Sequence, residues 1–267
     1  MVEVLVEPWR EPILRQALIE LLLAAVACSA LGVWVVLFGI SYGAESLAHA
    51  MFPGLALAAV IGAPLVLGGA AGLAVAGVAI ALAARVRSLG ADNAVAVVVT
   101  SLFGLGTLLA LAPDSPPGLK ELLFGDVLAS SRGDLLLAAA LAAVVLAGVW
   151  LGHWRLLAAG FDPSAPHGLG VDVALFGLLA VAVLVGVQSL GNLLVVAAVI
   201  APAAAARRLT RRVAPMVVVA CAIGVAAAVA GMYLSYYAQV AAGASIALVL
   251  VATVVVMRLI PVIVRPG

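Results

Sequence analysis

Long apolar runs separated by short polar intervals dominate the chain from Ala17 onward. Nine runs approach the roughly 20 residues that a helix needs to cross a bilayer. They cover 17–39, 44–61, 64–84, 93–112, 134–153, 171–187, 190–206, 213–233 and 244–262. None has the strict alternation of a membrane barrel strand, and a spanning helix satisfies its own backbone hydrogen bonds. The pattern predicts an all-α integral membrane protein, a polytopic bundle of about eight or nine transmembrane helices. Several runs are rich in small residues, as in "LGGAAGLAVAG" from Leu67 to Gly77, which lets helices approach closely.

Composition strengthens the membrane reading. Of 267 residues, 67% are hydrophobic and 9% charged, against about 25% charged in a soluble domain. The mean hydropathy is +1.33. A net charge of +1 gives no footprint for a nucleic acid. Cys28 and Cys221 lie singly in apolar runs and imply neither a disulfide framework nor a zinc cluster. The opening "MVEVLVEPWREPILRQALIE" is mixed and acidic, unlike a cleavable signal. The expectation is one transmembrane domain over 1–267, with 1–16 outside the membrane and 154–170 a cytoplasmic loop. With nine spans, nine of the 13 basic residues fall on one side, including all four of "RRLTRR" from Arg207 to Arg212. That side is expected to be cytoplasmic, with the C-terminus inside and the N-terminus outside.

Few residues can carry chemistry. Glu45 and His49 are spaced i, i+4 and so share one helix face. A carboxylate oxygen and an imidazole nitrogen suit a divalent transition metal, and ionisable groups at membrane depth are expensive unless they face a cavity or the bundle interior. A helix start, with Ser41 or Ser46 as cap and Glu45 in the first turn, explains the same residues. Asp92, Asp126 and Asp134 read as helix caps, and His153 and His167 as interfacial residues beside loops. "GVQSLGN" from Gly186 to Asn192 reads as a tight turn, and "YLSYYAQ" from Tyr233 to Gln239 as an aromatic interface belt. The only lysine is Lys120, so no G-x-x-x-x-G-K-[ST] phosphate cradle exists. Neither a Ser-His-Asp nor an H-E-x-x-H pattern is present, so the chain is not expected to be an enzyme.

Six stretches taken in order resemble the zinc/manganese-type permease family of ABC transporters. They are "GAESLAHAMFPGLALA", "LGADNAVAVVVTSLFGLGTLL", "LLFGDVLASSRGDL", "FDPSAPHGLGVD", "SLGNLLVVAAVIAPAAAARRLTRR" and "AGMYLSYYAQVAAGASIALV". The resemblance implies an ABC importer permease of the metal/cobalamin-importer type in a prokaryotic plasma membrane. It implies a homodimer that carries cytoplasmic ATPase subunits and receives its ion from an extracytoplasmic metal-binding protein, with lipid around it. It places metal binding on Glu45 and His49, and ATPase docking on Phe161, Asp162, Ser164, Gly168 and Gly170. The cargo it implies is zinc, manganese or iron, with no tightly bound cofactor. Two departures stand out. The family's usual aspartate is Glu45 here. Pro166 and Gly168 interrupt the stretch that forms the docking helix, where proline is tolerated only in a first turn. Two other readings stand beside this one: a permease for a siderophore, haem or cobalamin, and an ATP-independent secondary transporter.

Overall fold

The computed structural model describes residues 11–83, 91–112, 123, 131–161 and 169–259. Among these residues the chain is entirely helical, with nine helices in the places the apolar runs predict: α1 (Pro12–Leu37), α2 (Ser41–Ile61), α3 (Leu65–Ala83), α4 (Ala91–Leu111), α5 (Arg132–Phe161), α6 (Leu169–Leu190), α7 (Val195–Leu209), α8 (Val213–Ala238) and α9 (Ala242–Leu259). Six of them, α1, α2, α4, α5, α8 and α9, are long and apolar enough to cross a membrane.

The boundaries follow from local chemistry. Pro12 opens α1, where a missing N–H costs nothing. Gly39 ends it in the left-handed conformation (φ 70°), and Ile40 N–H donates back to the Val35 carbonyl. Gly62 does the same after α2, at φ 69°. At the start of α5, Ser131 Oγ accepts from Asp134 N–H, while Asp134 Oδ2 accepts from Ser131 N–H at 2.9 Å. This reciprocal cap satisfies two donors of the helix end, as expected of Asp134. The 30 residues of α5 span about 45 Å at 1.5 Å per residue, more than the hydrocarbon core of about 30 Å. Helix α5 is thus longer than the hydrocarbon core is thick.

The chain divides into two compact units. The larger holds Met1–Ser41 and Phe124–Gly267. Its axis is α1, which packs against α5, α6, α7 and α8, while α9 packs on α7 and α8. With neighbours on so many sides α1 is buried almost all round, and its face shows no polar stripe. Gly32 allows the closest approach. A Cβ there would stand 1.8 Å from the Val199 carbonyl oxygen of α7. The smaller unit, Tyr42–Leu123, holds α2, α3 and α4. Here Gly54 of α2 meets Gly68 and Gly72 of α3, backbone to backbone, and Gly106 of α4 leaves room for Phe52 and Pro53. Ala50, Ala76 and Val99 form its core.

One expectation is corrected. The polar break at Gly186–Asn192 is not a turn throughout. Helix α6 continues to Leu190, and the chain leaves it only at Gly191 (φ 78°). Ser189 is therefore a helical residue facing inward. The reason is burial: valines and leucines from Leu179 to Val187 carry the helix into the core, and a single polar pair does not stop it.

Candidate metal site

Glu45 and His49 lie on the first half of α2, one turn apart. The separation of His49 Nε2 from Glu45 Oε1 is 3.9 Å, too long for a hydrogen bond. Bonds of about 2.0–2.2 Å to a transition metal let two donors up to about 4.2 Å apart share one ion. The pair is thus spaced to bind a cation jointly. The Glu45 side chain is 54% exposed and that of His49 21%.

The His49 ring is oriented by packing. It lies 4.5 Å, centroid to centroid, from Phe103 of α4, which in turn lies 5.7 Å from Phe52. Nδ1 of the ring is buried with no hydrogen-bond partner among the described residues, so aromatic contact sets the ring plane. No group of three or more His, Cys, Asp or Glu able to hold a metal occurs among the described residues.

Of the expected docking residues, Phe161 is the last residue of α5 and Gly170 the second of α6, exposed with open space around it. Asp162, Ser164 and Gly168 lie outside the described residues, as do Pro166, His167 and Asp126. The expected interfacial His153 sits edge-on to Trp34 at 5.5 Å and beside Trp154. Trp150 and Trp154 are exposed on the same stretch of α5, where an aromatic belt belongs. Four arginines cluster where α7 meets α8: Arg207 and Arg208 in the last turn of α7, Arg211 and Arg212 just before α8. Cations there favour the negative end of α7.

A family model described as "ABC 3 transport family" matches residues 10–260. The chain belongs to this family. A "Manganese transport system membrane protein MntC" from Listeria monocytogenes is 32% identical over 247 residues, covering 91% of this chain and 88% of that protein. A "Chelated iron transport system membrane protein YfeD" from Yersinia pestis is 29% identical, covering 91% and 84%. Among solved structures, "PsaBC from Streptococcus pneumoniae in complex with Fab" has the same fold, with a TM-score of 0.87 at 25% identity over 96% of this chain and 95% of that one. As an ABC 3 family member with six membrane-length apolar helices, the chain is a multi-pass protein of the prokaryotic plasma membrane.

Sequence reasoning missed one polar group. Glu20 of α1 is 1% exposed and accepts a hydrogen bond from Ser189 Oγ of α6 at 3.1 Å. A charged side chain at the centre of a bilayer costs about 2.5–3.5 kcal/mol on insertion scales, and an interhelical hydrogen bond returns about 0.6 kcal/mol on average. The available signal was a lone acid eight residues into what proves to be the helix.

Proposed function

We propose that the chain is the membrane-spanning permease subunit of an ABC importer for a divalent transition metal, manganese, iron or zinc. It works as a homodimer, forming one permease domain per chain over 1–267. Separate cytoplasmic ATPase subunits hydrolyse ATP, and an extracytoplasmic binding protein delivers the ion. The observation that carries this reading is a matched pair of metal donors, Glu45 and His49, in a chain of the ABC 3 family. Relatives named for manganese and iron systems support the choice of cargo.

In this mechanism Glu45 offsets part of the dication's charge. His49 contributes a ring nitrogen at an orientation set by Phe103. The partly exposed pair takes the ion from solvent, and its low donor count lets the ion move on. ATPase docking is assigned to Phe161, Asp162, Ser164, Gly168 and Gly170. The position of Phe161 at the C-terminal end of α5 and of Gly170 near the start of α6 supports this.

A chelate permease for siderophore, haem or cobalamin needs no protein donor to the metal, so the pair favours the free ion. Reconstitution tests the reading. Proteoliposomes holding this chain, its ATPase and its binding protein are expected to accumulate manganese only when ATP is supplied. Accumulation by the chain alone would make it a secondary transporter. Accumulation of chelated but not free metal would make it a chelate permease.

A further inference from the structure

We infer that the groove between α1, α5 and α8 holds one anionic phospholipid, with its headgroup at the arginine-rich end and an acyl chain along the apolar walls. The groove lies within the larger unit and measures about 660 Å³, inside the range of about 300–1,000 Å³ typical of small-ligand sites. Leu146, Trp150 and Trp154 line it from α5, Ala214 and Cys221 from α8, and Ala30 from α1. From Leu146 to Trp154 the lining follows α5 for about 12 Å.

The walls are apolar and the charge stands beyond them. Helix α5 carries no acidic or basic residue between Asp134 and Arg155, and α8 carries none at all. Arg155 directly follows the lining residue Trp154, and Arg212 stands two residues before the lining residue Ala214 with Arg211 beside it. All three arginines are exposed, and none has a carboxylate partner among the described residues.

Contacts with α1 place these arginines at one end. On α5, Ala138 packs with Ala24 and His153 meets Trp34, so α5 runs parallel to α1. On α8, Gly224 packs on Ser29 and Ala25, while Ala228 shares a small cavity with Leu21, so α8 runs the opposite way. The last turns of α5 and the first turn of α8 therefore meet the same end of the groove. Arg207 and Arg208, in the last turn of α7, add charge just before that start of α8. Trp150 and Trp154, 77% and 78% exposed, share one face of α5, and tryptophan is enriched at headgroup level.

A ligand with one anionic end and a long apolar body matches this layout. Guanidinium groups bind phosphate through charge-assisted hydrogen bonds, and basic pockets between membrane helices on the cytoplasmic side take acidic lipid headgroups. A second copy of the chain matches less well. In a two-fold dimer the same patch meets itself, which would set these arginines against their own copies.

The test uses the full chain in nanodiscs of equal phosphatidylglycerol and phosphatidylcholine, released into native mass spectrometry. One phosphatidylglycerol per chain is expected to stay bound, at least fivefold over phosphatidylcholine. The triple variant Arg155→Gln, Arg211→Gln, Arg212→Gln leaves the walls intact and is expected to lose that preference. The unaltered chain supplies a second reading. Phosphatidylglycerol with brominated acyl chains is expected to quench its tryptophan fluorescence at least twofold more than brominated phosphatidylcholine, and Trp150→Phe with Trp154→Phe is expected to remove the difference. Equal retention of the two lipids, an unchanged preference in the arginine variant, or equal quenching by the two brominated lipids would each overturn the site. Near-complete disulfide dimerisation of a Trp150→Cys chain in the membrane would assign this face to a second copy and overturn it as well.

Discussion

Glu20 and Glu45 are the same side chain on consecutive helices, in opposite settings. Glu20 sits at 1% exposure inside the larger unit, tied to Ser189. Glu45 has a side chain 54% exposed, and its partner His49 stands 3.9 Å away. The difference lies in the helices that carry them. Helix α1 has neighbours on nearly every side and glycine-tight contacts, so anything it presents is enclosed. The Glu45 end of α2 leaves its carboxylate open, while two turns further along the same stripe Phe52 and Pro53 are buried. A carboxylate in the closed setting is held; one in the open setting is offered.

The sharpest way to break this contrast is to open the closed unit. Gly32→Val drives a side chain into the Val199 carbonyl, where even a Cβ would stand at 1.8 Å. Backbone cannot give as a side chain does, so the cost exceeds the roughly 1–3 kcal/mol of ordinary overpacking. Loss of the folded chain from membranes is expected, read as the monodisperse peak on size exclusion in detergent. Gly177→Ala meets nothing within 4 Å and is expected to leave that peak unchanged.

Next in size is the open carboxylate. Glu45→Gln removes the charge and is expected to lower ATP-driven manganese uptake at least tenfold at matched expression. Glu45→Asp keeps the charge and restores the residue usual in the resembling family. It is expected to retain uptake within a few-fold while shifting the ratio of manganese to zinc transported. Equal loss in both variants would mean that side-chain length, not charge, makes the site.

Smaller effects sharpen the closed side. Ser189→Ala removes one hydrogen bond to buried Glu20, an expected loss of about 1–2 kcal/mol, read as a lowered midpoint of thermal unfolding in detergent. Ser131→Ala removes a cap at the exposed start of α5, with an expected loss of about 0.5–1 kcal/mol in the same measurement. A larger effect at Ser131 than at Ser189 would deny that the interior pair is the tighter one.

The same contrast explains what the sequence made legible. Each of the nine apolar runs corresponds to a helix among the described residues, and six of these are long and apolar enough to cross a membrane. Glu45 and His49 stood out because an i, i+4 pair of unlike ligands is visible within one segment. Glu20 did not, because it stands alone near the start of the 17–39 run, and its partner Ser189 comes from a distant helix. Ser189 was hidden for a related reason. A polar interruption looks like a turn until tertiary burial extends α6 to Leu190, and the contact of Ser189 with Glu20 spans 169 residues of sequence. The missing partner of His49 Nδ1 was equally illegible, since Phe103 comes from another helix. The docking residues Asp162, Ser164 and Gly168 lie outside the described residues.

The most direct test of the central claim, that the α2 pair carries the ion, is ATP-driven manganese uptake by the reconstituted His49→Ala complex. Membrane expression and co-purification of the ATPase are measured on the same preparation. At least a tenfold fall in uptake is expected, with assembly unchanged, because one of only two protein donors is gone. Uptake equal to that of the unaltered complex would contradict the account and leave Glu45 and His49 as no more than the start of a helix.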